Sequence, residues 1–146
     1  MKKVESAIWV WLLPEEREGA GGEEWVRHGG KWLVFDTRKL IEELAAKLGP
    51  FIDSGEIAGG KYWNGDPSGL NVYSLDSKRD RVRKIIEDLG AGTSMVWEYD
   101  YAWDKNLRAP FSFLYSWCSK FRTILQSYGV GGAFRLMKAA LQERGE

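Results

Sequence analysis

The sequence is poor in the residues on which disulfide and metal chemistry depend. Among its 146 residues there is one cysteine, Cys118, and one histidine, His28. A lone cysteine excludes an intramolecular disulfide and is typical of proteins in a reducing compartment. A lone histidine excludes a metal site made of several histidines, and we expect no metal and no cofactor.

The chain also lacks a long apolar run and a net charge. Its longest uncharged stretches, residues 6–14, 109–119 and 123–134, fall well short of the roughly 18–20 apolar residues that span a bilayer. Lys plus Arg number 21 and Asp plus Glu number 21. The chain as a whole is therefore not attracted to nucleic acid or to an anionic membrane by its charge. We expect a cytoplasmic protein with no membrane partner.

Aromatic side chains, by contrast, are abundant. The chain has 8 tryptophan, 6 tyrosine and 6 phenylalanine residues. Eight indoles are too many for one small core to bury completely, because large tryptophan side chains are rarely enclosed on all sides. We therefore expect some tryptophans on the surface, where they stack on a ligand or form the interface of a homodimer.

Hydrophobic spacing and turn residues predict a single α+β domain over residues 1–146. Residues 1–24 should hold a first strand, at 7–13, and a flexible, acidic, glycine-rich loop, and residues 119–146 should form the C-terminal helices. The stretch 111–117 fits either a strand or a helix. The other predicted elements are strands at 25–28, 31–36, 61–63, 70–75 and 95–101 and helices at 37–48 and 77–89.

Local signals indicate how these elements join. Gly29 and Gly30 predict a two-residue hairpin turn between the strands on either side of them. Ser77 and Asp80 resemble a capping box at the start of the second helix. The pairs of consecutive strands favour a mostly antiparallel sheet with the helices packed on one face.

Some tryptophans and arginines occupy positions that suit a ligand carrying a ring and a phosphate. Trp63 precedes a glycine-rich turn and Trp103 lies in a charged loop, so both rings should be accessible. Stacking on an indole and contact with an arginine are the usual means of holding a base and its phosphate. The candidate ligand-binding residues are Trp25, Trp63, Trp103, Arg27 and Arg83.

Two further residues have the chemistry of an enzyme that eliminates phosphate. Lys61 lies between Gly60 and Tyr62, and His28 lies beside Arg27. A lysine base removes the proton from Cα while a histidine acid protonates the leaving oxygen. Lys61 and His28 are therefore the candidate catalytic residues of such an enzyme, whereas in a binding module Lys61 supplies positive charge.

Short motifs across residues 25–115 resemble those of the basophilic-leukaemia-expressed-protein family, which is related to phosphothreonine lyase domains. The motifs are residues 30–35, Lys61, and residues 72–76, 81–83, 89–90 and 99–100. The resemblance implies a fold like that of the cap-binding translation initiation factor, in which helices back a curved antiparallel sheet.

The same resemblance implies two functions. In the cap-binding fold two tryptophans sandwich a base, a role open here to Trp25, Trp63 or Trp103. In the lyase, Lys61 matches a family lysine and would be the base, with His28 as the acid.

Three hypotheses follow from the sequence. The first is a binding module for a nucleotide, RNA or another phosphorylated ligand. The second is a phosphothreonine lyase-like enzyme, and the third is a non-enzymatic interaction protein with an aromatic homo-oligomer interface.

Overall fold

The computed structural model describes residues 1–16, 22–92, 95–101, 118, 121–126, 128–135 and 138. Within them, residues 121–126 and 128–135 are helical. The strands are β1 (Lys2–Glu5), β2 (Trp9–Leu13), β3 (Gly29–Asp36), β4 (Gly59–Trp63), β5 (Ser68–Leu75) and β6 (Met95–Tyr99). The helices are α1 (Glu23–His28), α2 (Arg38–Lys47), α3 (Gly49–Asp53) and α4 (Arg79–Asp88), the last preceded by a 3₁₀ turn over Asp76–Lys78.

The strands form one sheet in the order β1-β2-β4-β5-β3-β6. Every neighbouring pair is antiparallel. Strands β1 and β2 form one hairpin, and β4 and β5 form another. Strand β3 lies on the side of β5 away from β4, and α2 and α3 connect it to β4. The structure thus confirms the predicted α+β class and the antiparallel sheet.

One face of the sheet carries the hydrophobic core, because alternate strand residues point to the same side. Val10 and Leu12 of β2 are buried there, while the tryptophans on either side of Val10 point the other way and are half-buried. Helices α2, α3 and α4 cover this core face. Its fully enclosed side chains include Leu12, Ile41, Leu48, Ile52, Ile57, Leu70, Val72, Val82 and Ile86.

The predicted strand at 25–28 is wrong, since these residues belong to helix α1. Glu23 and Glu24 lie in its first turn and Arg27 and His28 in its last, a charge order that favours the helix dipole. The glycines that follow do not form a turn either. Gly29 has φ −72° and ψ 139°, and both glycines begin strand β3.

Boundaries elsewhere differ in smaller ways. Gly49 and Pro50 do not end the helical region but start α3, because proline is tolerated in a first helical turn. The predicted capping box at Ser77 is absent: Lys78 precedes α4, and no side chain caps that helix. Strand β1, at the edge of the sheet, has no counterpart among the predicted elements.

Several predictions lie outside the described residues. They include the loop position of Trp103, the choice between strand and helix at 111–117, and much of the C-terminal helical region. Within the part of the chain that the structure describes, no helix is long and apolar enough to cross a membrane. The same residues contain no group of three or more His, Cys, Asp or Glu side chains that could hold a metal ion.

Candidate ligand-binding face

The sheet face opposite the core, here called the outer face, carries the residues with functional chemistry. The register places Trp9 opposite Trp63 and Trp11 opposite Lys61 across strands β2 and β4. The four side chains share one face, because members of a directly opposed pair project to the same side and so do residues two apart on a strand. We call these four residues the tryptophan–lysine cluster.

The ammonium group of Lys61 lies over two indole rings of this cluster. Its Nζ is 4.1 Å from the ring centroid of Trp9 and 4.7 Å from that of Trp11. Both distances are within the range of cation–π attraction, in which the electron-rich ring face stabilises a cation. All four members of the cluster are half-buried, so part of each side chain meets solvent.

The centre of the outer face is closed, whereas the cluster at the β2–β4 side is not. Asn71 of β5 lies opposite Lys61 and is 9 % exposed. Leu33 of β3 and Val96 of β6 continue the same cross-strand row and are 4 % and 6 % exposed. The accessible surface of this row therefore lies at its β2–β4 end, in Trp11 and Lys61.

A second polar group, centred on Asp100, lies at the other side of the outer face. Asp100 accepts hydrogen bonds from Lys31 Nζ at 2.8 Å and from Trp25 Nε1 at 3.0 Å. The indole of Trp25 also contacts Tyr73, with ring centroids 6.2 Å apart. This group fastens α1 to the sheet and neutralises the charge of Lys31.

Tyr73 is held in its neutral form by this environment. Burial raises the pKa of its phenol, and the neighbouring carboxylate of Asp100 raises it further, while a hydrogen bond with Asn71 acts in the opposite direction. Tyr73 is therefore a hydrogen-bonding group at ordinary pH and not a proton acceptor.

The three tryptophans predicted to stack on a ligand differ in where the structure places them. Trp63 belongs to the tryptophan–lysine cluster. Trp25 is 8 % exposed and its indole nitrogen is bound to Asp100, so it anchors α1 instead of presenting a ring to solvent. Trp103 lies outside the described residues.

The predicted arginines are not near the cluster. Arg83 lies on α4, on the core side of the sheet, with its guanidinium carbon 5.6 Å from the ring centroid of Trp32 and its Nε bonded to Glu87 at 2.9 Å. Arg27 is exposed on α1 and pairs with Glu23 at 3.6 Å. Neither arginine shares a site with Lys61.

The two candidate catalytic residues of the lyase are also apart. Lys61 lies opposite Asn71 on β5, whereas His28 Nδ1 is 3.3 Å from Asp76, just beyond the far end of that strand. The four steps from Asn71 to Leu75, the last residue of β5, already correspond to about 13 Å of strand length. A base and an acid must both reach one substrate bond, and the structure does not bring these two side chains together.

Sequence reasoning missed Trp9 and Trp11 as site residues. The signal was present, since two tryptophans two apart on a strand necessarily share a face. Their pairing with Lys61 and Trp63, fifty residues later in the chain, depends on strands β2 and β4 being neighbours, which no local pattern indicates.

An open cleft of about 460 Å³ lies elsewhere, at the end of the sheet where β3 meets α2. Its carboxylates are already engaged with the start of α2: Asp36 accepts a hydrogen bond from the Thr37 amide at 2.7 Å, and Asp66 accepts one from the Arg38 amide at 3.2 Å. Tyr128 completes its wall by bonding to the backbone of β3 and β5. These acids thus bond backbone amides where the chain enters α2, and those amides have no partner within the helix.

No model of a known protein family matches the chain, and no curated protein matches it at a significant level. The similarity to the basophilic-leukaemia-expressed-protein family therefore stays a prediction.

Proposed function

We propose that this protein is a binding module for an aromatic ligand that carries an anionic group, with a nucleotide as the ligand that best fits. The observation that carries the proposal is the tryptophan–lysine cluster, in which Lys61 Nζ lies 4.1 Å and 4.7 Å from two indole centroids. Trp63 adds a third indole opposite Trp9.

The cluster combines the two contacts that a nucleotide needs. Half-buried indoles offer ring faces for base stacking, which contributes about 1–3 kcal/mol per base in proteins that bind single-stranded nucleic acid. The ammonium group of Lys61 lies at the same place and can contact a phosphate oxygen. A β-sheet surface is rigid, so the rings are held in position before the ligand arrives.

The ligand-binding residues proposed here differ from those predicted from the sequence. Trp63 and Lys61 are kept, Trp9 and Trp11 are added, and no ligand contact is assigned to Arg27 or Arg83. Elimination of phosphate receives less support, because His28, at the end of α1, lies far from Lys61 on β4.

Tryptophan fluorescence tests the proposal directly. The titrants are guanosine and adenosine monophosphate, a short single-stranded RNA, and a phosphothreonine peptide. We expect the nucleotides or the RNA to quench the fluorescence saturably. Trp11→Leu should weaken this binding about tenfold, in proportion to the loss of one stacking surface.

Arg83→Met provides a matched control, because Arg83 is also a cation over an indole but lies on the core side of the sheet. This variant should bind the nucleotides as the wild type does. Equal weakening by Arg83→Met and Trp11→Leu would show a general effect on the fold and would contradict the assignment.

Quenching by none of the titrants would contradict the proposal. It would leave self-association as the preferred function, for which the exposure of Val130 (68 %) and Phe134 (70 %), four residues apart on one helical face, is the supporting observation.

A further inference from the structure

Strand β1 leaves one edge of the sheet uncovered. Among the strands that the structure describes, β1 has a neighbour on one side only, β2. Lys3 and Glu5 lie opposite the core residues Leu12 and Val10 and so project to the side on which the helices pack. All four residues of β1 are nevertheless exposed, so the described helices do not extend over it. An edge of this kind is a template for a further strand.

The β1–β2 hairpin shows which backbone groups of β1 point away from the sheet. The amide of Ser6 donates a hydrogen bond to the carbonyl oxygen of Trp9 at 2.8 Å. Along an antiparallel ladder, residues that bond to the partner strand alternate with residues whose N–H and C=O groups point the other way. Val4, two residues before Ser6, therefore faces β2, and the backbone groups of Lys3 and Glu5 point away from the sheet.

We propose that two copies of this chain pair through β1, in antiparallel orientation, about a two-fold axis at Val4. Val4 of one copy then lies opposite Val4 of the other, and each Lys3 lies opposite Glu5 of the other copy. The outward backbone groups of Lys3 and Glu5 form four hydrogen bonds across the axis. Two six-stranded sheets become one continuous sheet. The inference is independent of the proposed nucleotide binding.

Side-chain charge selects this register. An axis at Lys3 would place two lysines directly opposite each other, and an axis at Glu5 would place two glutamates so, and like charges in that arrangement are destabilising. The axis at Val4 gives two pairs of opposite charge instead. It also brings together two valine side chains, each 46 % exposed in the single chain.

The charges around β1 are compatible with this pairing. Glu5 contributes to the raised pKa of Arg38, but the main cause is the hydrogen bond from Arg38 to Glu42 at 2.9 Å. Arg38 is thus already paired with a carboxylate, and Glu5 is exposed at the edge. Lys2 projects to the outer face, the side opposite to Lys3 and Glu5.

The interface is small, because only three residues of each β1 pair directly. Interfaces below about 1,200 Å² belong to weak, transient complexes. We therefore expect an equilibrium between monomer and dimer that sedimentation velocity detects as the protein concentration is raised from about 10 µM to about 1 mM.

Charge substitutions on β1 test the register. Lys3→Glu places a glutamate opposite Glu5 and should raise the dissociation constant of the dimer about tenfold. The double variant Lys3→Glu/Glu5→Lys exchanges the two charges and should restore the wild-type value. Lys2→Glu is the matched control, because it changes the net charge equally but lies outside the two ion pairs. Circular dichroism of each variant establishes that the fold is retained.

A cross-link tests the position of the axis. Val4→Cys is made together with Cys118→Ser, since Cys118 is exposed. Directly opposed residues that share no hydrogen bond have Cα atoms about 4.5 Å apart, a distance that a disulfide spans. Val4→Cys should therefore give a covalent dimer on mild oxidation. Lys2→Cys in the same background should not, because four residues of strand, about 13 Å, separate it from its own copy.

The outcomes decide the inference without any nucleotide. A wild type that stays monomeric over the whole concentration range would overturn it, as would equal weakening by Lys3→Glu and Lys2→Glu or equal cross-linking of the two cysteine variants. A dimer weakened by Phe134→Ser but not by Lys3→Glu would assign self-association to the exposed face of Val130 and Phe134 and would likewise overturn pairing through β1.

Discussion

Two glycines show how single residues make room for an indole on each face of the sheet. A Cβ atom on Gly29 would lie 2.5 Å from the indole of Trp25, and one on Gly30 would lie 2.5 Å from the indole of Trp97. The two indoles pack on opposite sides of β3 at adjacent positions. Their space exists only because neither residue has a side chain.

At Gly30, even the smallest side chain should therefore be destabilising. Gly30→Ala would place a methyl group against Trp97 and 2.8 Å from the backbone oxygen of Glu98, so strand β6 must shift. We expect a loss of about 2 kcal/mol in the free energy of unfolding, measured by urea denaturation. Gly92→Ala is the control, because a Cβ there meets no atom within 4 Å. Equal stability of the two variants would contradict the close packing.

At the scale of the element, helix α1 depends on tertiary contacts. It has six residues, too few for a helix to be stable alone in water. Trp25 is its buried residue, and the indole is fixed by the hydrogen bond to Asp100. The charge order of the segment favours a helix, and the anchor places it against the outer face.

Removing the anchor should release this helix. Asp100→Ala deprives both Trp25 and Lys31 of their acceptor, and we expect a loss of about 2 kcal/mol in the free energy of unfolding. Faster hydrogen exchange of the α1 amides and of the Trp25 indole N–H, followed by NMR, would locate the effect. Asp80→Ala removes an exposed carboxylate that pairs with Arg79, and it should change stability by less than about 0.5 kcal/mol. Unchanged exchange in α1 after Asp100→Ala would contradict the anchor.

At the scale of the whole molecule, three tyrosines make the free energy of unfolding depend on pH in the alkaline range. Burial is the main cause that raises the pKa of Tyr62, Tyr73 and Tyr128. A group whose pKa is higher in the folded state contributes stability below its unfolded pKa, here 10.0, and this contribution is lost as the pH rises through the folded value. The fold should therefore lose stability progressively above pH 10.

Denaturation at a series of pH values measures this effect. The free energy of unfolding should fall with pH above 10, and Tyr73→Phe should make that fall shallower because one proton-linked group is gone. The same variant should cost about 1 kcal/mol at neutral pH through the loss of its hydrogen bond. An unchanged slope would contradict the assignment of Tyr73 as a buried neutral phenol.

Local patterns in the sequence determined the class of fold and most of its elements. The apolar period of residues 37–48 and 77–89 predicted two helices. The predicted strands at 7–13, 31–36, 61–63, 70–75 and 95–101 each overlap an observed strand, with boundaries that differ by at most two residues. These elements could be predicted because backbone propensity and the period of apolar side chains depend only on residues close together in the chain. The sequence likewise identified Lys61 and Trp63 as residues of interest.

Tertiary structure alone decided which of these residues meet. Residues 25–28 form a helix because Trp25 finds an acceptor in Asp100, seventy-five residues away. Lys61 lies on Trp9 and Trp11 because β4 pairs with β2, and it is separated from Arg83 by the sheet itself. Strand order and sheet face depend on the sum of many long-range contacts, and a short sequence window contains none of them.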